Sequence, residues 1–259
     1  MISKVSIEAE VKNGLTQLKS AFFNTPFKVV DIREDKKNPL LELILMSSSP
    51  GVLDEDELYF DFTLHENSQM EFTTQSFQRL FTMEKSAFQE TNVTLKTNSF
   101  LCYLPHPCVP HKGSSFKSSN TIYLEKNASV LWGEIFTCGR KLKEEVFEFK
   151  QFQPLTKIYQ ENRLVFFENL YLKPSESNPV NLGQYEGFTH QLSVVFLNES
   201  CDVKNLKKQL DTYLEDKNCV FGISETPTNG LVVKILHDKA EKLLSWMREM
   251  TKIIKQNEF

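Results

Sequence analysis

Residues 57–64 read Glu-Leu-Tyr-Phe-Asp-Phe-Thr-Leu, with an apolar side chain at every second position. Successive side chains of a β-strand point to opposite faces, so a period of two indicates a strand with one buried face. The same pattern recurs at residues 5–11, 70–72, 93–95, 122–124, 146–149 and 158–167. We therefore predict a body of many strands, for which 21 phenylalanines supply apolar core material.

Turn sequences rich in Asn, Pro and Gly separate these strands, at residues 13–14, 38–39, 49–51, 111–113 and 178–179. Repeated short strands are typical of a sandwich, a barrel or a solenoid of sheets, and the pattern alone leaves these three open. The sequence shows no repeat of fixed period. Residues 74–85 space Phe77, Leu80 and Phe81 as a helix would, which predicts a short helix there as an alternative to strand.

The periodicity changes after residue 200. Asp202 is expected to cap a helix whose apolar residues recur at spacings of three and four, namely Val203, Leu206, Leu210 and Leu214. Two strand-like runs follow around a hairpin turn at residues 228–230, and Asp238 then opens a second helix over about residues 239–255. We predict one domain over residues 1–259, with a β-rich body at 1–200 and an αββα part at 201–259 packed on it.

The composition argues against several classes of protein. A formal net charge of -4 does not favour nucleic-acid binding. No window approaches the roughly 20 apolar residues of a membrane helix, and the charged, alternating N-terminal residues are unlike a signal peptide. We expect a cytoplasmic protein whose partners include neither nucleic acid nor a membrane.

The chain contains no P-loop, dinucleotide-binding glycine motif, serine-hydrolase elbow or HExxH zinc motif. We therefore predict that it is not an enzyme. One alternative is a non-catalytic β-rich module that binds another protein or a carbohydrate, which would expose tryptophan platforms. A second is a hydrolase that brings two carboxylates into one cleft.

Cys102, His106, Cys108 and His111 are the densest group of potential metal ligands, and thiolate and imidazole suit nickel or zinc. Three prolines keep this segment extended, at roughly 3.1 Å per residue, so one ion cannot reach all four side chains. His106 with Cys108, or His106 with His111 across a turn, remains a weaker candidate site. The alternative is a rigid surface segment without a metal.

Two glutamates lie within apolar runs. Glu134 follows Trp132-Gly133, and Glu168 follows two phenylalanines. A carboxylate in such surroundings either faces solvent or has a partner, for which Arg140 and Arg163 are candidates. The acidic run at residues 54–57 is typical of a solvated loop.

Five segments, in order along the chain, resemble motifs of the urease accessory protein family UreD, called UreH in some systems. They are residues 22–27 (FFNTPF), 49–56 (SPGVLDED), 73–76 (TTQS), 104–111 (LPHPCVPH) and 131–140 (LWGEIFTCGR), the last followed by Glu145. Each motif is weak alone, whereas five in the same order are specific. The resemblance covers about residues 20 to 170 and, more loosely, the C-terminal region.

The resemblance implies a mainly β fold, a helical stack of strands with a small helical part. It also implies a protein without catalytic activity that binds UreF directly, reaches the GTPase UreG through UreF, and docks on apo-urease. Nickel(II) would pass through an internal tunnel to the urease active site. No cofactor would be tightly bound, and GTP would belong to UreG.

The resemblance also suggests site residues. Asp56, Glu134 and Glu168 match acids of the family pattern, and they are the candidate oxygen ligands of a transient nickel conduit. Gly139, Arg140 and Glu145 match its W-x-E-x-x-x-x-G-R motif and the acid that follows, for which we expect a structural role.

Overall fold

A computed structural model describes residues 1–257, which contain seventeen strands, two α-helices and a short 3₁₀ helix at Lys141–Lys143. The strands and helices are β1 (Ile2–Lys12), β2 (Leu15–Phe23), β3 (Phe27–Asp31), β4 (Leu41–Ser47), β5 (Glu57–Leu64), β6 (Gln69–Thr74), β7 (Gln78–Leu80), β8 (Ala87–Leu95), β9 (Phe100–Leu104), β10 (Cys108–Pro110), β11 (Ser115–Leu124), β12 (Ser129–Thr137), β13 (Gln151–Gln160), β14 (Arg163–Asn169), β15 (His190–Leu197), α1 (Val203–Glu215), β16 (Val220–Thr226), β17 (Gly230–His237) and α2 (Ala240–Gln256).

The strands form two facing sheets. One has seven strands in the order β14-β13-β11-β8-β5-β1-β2, and the other has ten, eight of them in the order β16-β17-β15-β12-β9-β6-β4-β3, with β7 and β10 attached beside β12. The chain crosses repeatedly from one sheet to the other, so β5, β8, β11 and β13 are parallel neighbours in the first sheet and β4, β6, β9 and β12 in the second. The predicted helical stack of strands is confirmed.

The register of the ten-stranded sheet shows the repeat of this stack. Leu41 pairs with Met70, Met70 with Leu101, and Leu101 with Val130, and all four side chains are fully buried. Each turn of the chain therefore advances by about 30 residues, within the range of solenoid repeats. The equivalent positions share burial but not residue type, which explains why the sequence shows no fixed-period repeat.

The main core lies between the two sheets. A row of aromatic rings runs through it, with ring centroids 4.7 Å apart for Phe62 and Phe72, 5.9 Å for Phe72 and Tyr103, and 3.9 Å for Tyr103 and Trp132. Such pairs each add about 0.5–1.5 kcal/mol beyond their buried area.

A second core lies on the outer face of the ten-stranded sheet, where β16 and β17 extend the sheet and α1 and α2 pack against it. Leu131 and Ile135 of β12 contribute to this core, so β12 is covered on both faces and reads as a nearly continuous apolar run. Gly133 allows the close approach of α2, because a β-carbon there would lie 2.7 Å from the sulfur of Met247. Neither α1 nor α2, the two α-helices of the described chain, combines the length and apolar character needed to span a bilayer.

The capping prediction for the first C-terminal helix is confirmed, because the side chain of Asp202 accepts a hydrogen bond from the Asn205 N–H (3.1 Å). The start of the second helix was predicted one residue early. Lys239 is its N-cap residue, and Asp238 instead pairs with Lys141 (3.4 Å).

Two local predictions are wrong. Residues 74–85 form no helix, because Leu80 lies in strand β7 and enters the core between the sheets, whereas Phe77 packs against the helix-side core. Residues 146–149 are not a strand. They belong to an irregular connection in which Phe147 and Phe149 are nevertheless buried in the main core.

Candidate functional site

A partly open cavity of about 170 Å³ lies between the two sheets. Its lining includes five of the predicted metal-site residues, which are Asp56, His106, Cys108, Glu134 and Glu168. The volume is sufficient for several water molecules, provided that polar groups hold them. The cavity is therefore the candidate functional site.

Glu134 faces this cavity and not the solvent, because the other face of β12 is covered by helices. Its carboxylate accepts hydrogen bonds from Asn120 Nδ2 (3.1 Å) and Thr156 Oγ1 (3.5 Å), and Asn120 Nδ2 also donates to Thr156 Oγ1 (3.0 Å). Burial raises the pKa of Glu134, and the hydrogen bonds from Asn120 and Thr156 counteract part of that increase.

Glu168 enters the cavity from β14, at the edge of the seven-stranded sheet. Its carboxylate pairs with the ammonium of Lys234 and accepts a hydrogen bond from Ser193 Oγ (3.0 Å), and Lys234 Nζ also donates to Ser193 Oγ (2.7 Å). Burial lowers the pKa of Lys234 to about 8, and the negative charge of Glu134 opposes that shift.

The predicted arginine partners are wrong. Lys234 pairs with Glu168 in place of Arg163, and Arg140 is engaged by Glu145 outside the cavity. The reason is topological, because Arg163 begins β14 at the end of the strand away from Glu168, where it pairs with Gln160.

Strand register explains how these groups meet. In the seven-stranded sheet a polar row crosses four adjacent strands, through Glu168, Thr156, Asn120 and Thr91. A second row crosses the facing sheet, through Lys234, Ser193 and Glu134. We call the six residues that hydrogen-bond between the rows the polar network: Asn120, Glu134, Thr156, Glu168, Ser193 and Lys234.

Asp56 lies immediately before β5 and is 5% exposed. Its Oδ2 accepts the Leu53 N–H (2.8 Å) and its Oδ1 accepts the Met1 ammonium (2.9 Å). Nearby, Asp54 accepts the N–H groups of residues 84 and 85. The acidic run is therefore only partly a solvated loop, because two of its four carboxylates hold backbone turns in place.

The Cys/His segment divides among different environments. Cys102 lies in the helix-side core, and the buried His111 packs against Phe81. His106 and Cys108 line the cavity, but burial raises the pKa of the Cys108 thiol far above neutrality, which disfavours the thiolate that binds metals. Within residues 1–257, no three Asp, Glu, His or Cys side chains are grouped closely enough to hold one metal ion.

Gly139, Arg140 and Glu145 form one tight connection. Gly139 has φ +123°, and a β-carbon there would lie 2.9 Å from the carbonyl oxygen of Pro110. Arg140 Nε donates to Glu145 Oε2 (2.8 Å), which also accepts the Lys112 N–H (3.2 Å). The hydrogen bonds from Arg140 are the main reason that the pKa of Glu145 falls to about 2. The three residues fasten this connection to the segment around β10.

Sequence reasoning missed four members of the polar network: Asn120, Thr156, Ser193 and Lys234. A signal for Lys234 was present, since it is the one charged residue in the apolar run Leu231-Val232-Val233-Lys234-Ile235-Leu236. Asn120 also has the same strand parity as the buried Ile122 and Leu124. The members of the polar network stand at positions that face inward on their strands. The apolar alternation of each strand identifies those positions, so polar residues found there were a usable signal.

The structure bears differently on the two alternatives, a carbohydrate-binding module and a two-carboxylate hydrolase. Trp132 and Trp246 are buried, at 2% and 8% exposure, so neither forms the platform expected of a carbohydrate-binding module. Glu134 and Glu168 do line one cavity, as the hydrolase alternative requires, but Glu168 is held in an ion pair with Lys234. The fold and site define a class of β-rich protein of two stacked sheets, with a cavity between them that contains buried carboxylates.

Comparison with known proteins makes the assignment specific. The family described as UreD urease accessory protein matches residues 3–258, and the chain belongs to that family. The chain is 41% identical over 252 residues to the urease accessory protein UreD of Flavobacterium johnsoniae, covering 96% of this chain and 91% of that protein. It is 33% identical to UreH of Helicobacter hepaticus, covering 92% of each, and 32% identical to UreD of Acetivibrio thermocellus, covering 97% of each.

These comparisons confirm the resemblance seen in the sequence. The chain is an accessory protein of urease maturation and not an enzyme. Membership of the family implies that it interacts with other components of urease maturation.

Proposed function

We propose that this chain is the scaffold of a cytoplasmic urease-maturation complex and that its cavity is a stage on the route of nickel(II) into urease. In this proposal it binds UreF directly, reaches UreG through UreF, and docks on apo-urease. GTP is bound and hydrolysed by UreG, and this chain keeps no cofactor of its own.

The observation that carries the nickel role is the set of oxygen donors inside the cavity. Glu134 and Glu168 are surrounded by hydroxyl and amide groups from both sheets, with room for water beside them. A conduit needs ligands that release the ion, and carboxylates with water bind nickel less tightly than thiolate or imidazole sets do. Carboxylates that lie apart bind a nickel ion weakly enough to release it to the next site. Three ligands converging on one point would hold the ion tightly.

Asp56, at another part of the same cavity, is proposed as a further step on the route. Its carboxylate already holds a turn, so a nickel ion would bind there only in exchange for one of its present hydrogen bonds. Glu134 and Glu168 are therefore the stronger candidates.

The experiment compares Glu134→Gln and Glu168→Gln with the unaltered chain in the assembled UreF–UreG–urease system. We expect both variants to co-purify with UreF as the unaltered chain does and to lower the nickel content and activity of urease. Asp61→Asn is the matched control, because Asp61 is an exposed acid on the outer face of β5. Full urease activation by both glutamine variants would reject the conduit, and loss of UreF binding would show that the acids act structurally.

A further inference from the structure

Lys234 is a charged residue placed where an apolar one would be expected. Its neighbours Val233 and Ile235 are buried on the helix side of the ten-stranded sheet, so Lys234 points the other way, toward the seven-stranded sheet, where its ammonium reaches Glu168 at the cavity wall. Partial desolvation of an ammonium costs free energy, and an apolar residue in its place is often at least as stable. A purely structural role therefore explains the lysine poorly.

The ammonium of Lys234 lies against the carboxylate of Glu168. Lys234 Nζ pairs with Glu168 Oε1, while Ser193 Oγ donates to Glu168 Oε2 (3.0 Å). Both carboxylate oxygens of Glu168 are thus already engaged. A cation that binds Oε1 of Glu168 therefore competes with the lysine ammonium for that oxygen.

We propose that Lys234 is a tethered counter-cation that exchanges with the incoming divalent ion and so keeps its binding weak and reversible. This inference rests on the proposed nickel route. Glu134 and Glu168 carry two negative charges when ionised, and the ammonium leaves a net charge of one. Without the lysine the full double charge would attract a divalent ion, which would then leave slowly.

The side chain is able to make this exchange. Lys234 is 36% exposed and Glu168 is 25% exposed, so the pair lies near solvent and is not sealed in the core. A lysine can keep its alkyl stem against apolar surface while its ammonium moves into water. On arrival of a divalent ion, the ammonium would leave Glu168 and become solvated.

The test measures nickel(II) alone binding to the purified full-length chain, by calorimetry or competition with a chelating dye. We expect Lys234→Met to bind nickel at least about tenfold more tightly, equivalent to about 1.4 kcal/mol. Lys234→Arg, which keeps the charge, should retain the weak binding of the unaltered chain. The double variant Lys234→Met with Glu168→Gln should lose the gain.

Unchanged nickel affinity in folded Lys234→Met would overturn the inference. A second readout uses the unaltered chain, so it does not depend on a variant folding: nickel should increase acylation of the Lys234 amine by an amine-reactive reagent, read by mass spectrometry. No increase at saturating nickel would also overturn it. A different result tests the nickel route itself: that route is rejected if Glu134→Gln and Glu168→Gln both leave nickel binding unchanged.

Discussion

Asn120 joins the two sheets at the centre of the polar network, and replacing it by alanine tests that network directly. Asn120 is 1% exposed, and its amide donates to Glu134 Oε1 (3.1 Å) and Thr156 Oγ1 (3.0 Å). A hydrogen bond to a charged group contributes about 1.5–3 kcal/mol and an ordinary one about 1 kcal/mol, so Asn120→Ala should lower the free energy of unfolding by about 2.5–4 kcal/mol. The Tm should fall by about 5–16 °C in a chain of this size, at about 2–4 °C per kcal/mol.

The loss of unfolding free energy in Asn120→Ala should depend on pH, because burial raises the folded-state pKa of Glu134 above its ordinary value of 4.5. A carboxyl with a raised folded pKa contributes its full stability below its unfolded pKa, and that stability is lost as the pH rises through the folded pKa. Removing the Asn120 donor raises the folded pKa further. The variant should therefore differ less from the unaltered chain at about pH 4.5 than at about pH 8.

Urea unfolding at both pH values provides the assay. The single variants Asn120→Ala and Glu134→Gln and their double variant form a cycle, for which we expect a coupling of at least about 1 kcal/mol. Asn92→Ala is the matched control, since the Asn92 amide also donates to a glutamate, Glu90 Oε1 (3.0 Å), but on the outer face of β8. The reasoning is refuted if Asn120→Ala costs no more than Asn92→Ala, or if the cycle is additive at pH 8.

Two further predictions concern stability away from the cavity. Asp202→Ala should destabilise the chain by about 1 kcal/mol, because it removes the cap of α1, and thermal melting should show the loss, whereas Asp202→Asn should restore most of it. Burial lowers the pKa of His190 in the folded chain to about 4. As the pH falls below about 6.5, His190 therefore takes up a proton in the unfolded chain before it does so in the folded chain, and the folded state loses stability. Between about pH 6 and 4 this group should remove roughly 1.4 kcal/mol of stability per pH unit, and His190→Asn should show a shallower acid slope; identical slopes would contradict the assignment.

Several parts of the fold could be predicted from local pattern alone. The alternation at residues 57–64 identified the inward face of β5, where Leu58, Phe60, Phe62 and Leu64 are all buried. The helix after Asp202 followed from its cap and its apolar spacing. Periodicity succeeds here because each element buries one continuous face, so its geometry appears directly in the sequence.

The pattern failed where one segment serves two cores. Phe77 and Leu80 have helical spacing, yet they pack against different cores on either side of the ten-stranded sheet. In the Cys/His segment, the extended conformation inferred from its prolines already argued against one ion bound by all four side chains. The structure adds that Cys102 lies in the helix-side core whereas Cys108 lines the cavity. Local spacing does not say which neighbouring element each side chain will meet.

The sequence by itself determined that Glu134 and Glu168 lie in apolar runs, and the order of its motifs identified the family. Only the tertiary structure decided what these carboxylates contact. Asn120, Thr156, Ser193 and Lys234 come from four different strands. The parallel pairing of β11 with β13 places Asn120 beside Thr156, and the antiparallel pairing of β15 with β12 and β17 places Ser193 between Glu134 and Lys234. Alternation in the sequence shows which face of a strand a residue lies on. Which residues it contacts depends on strand register and on how the two sheets pack, and both are set by the whole chain.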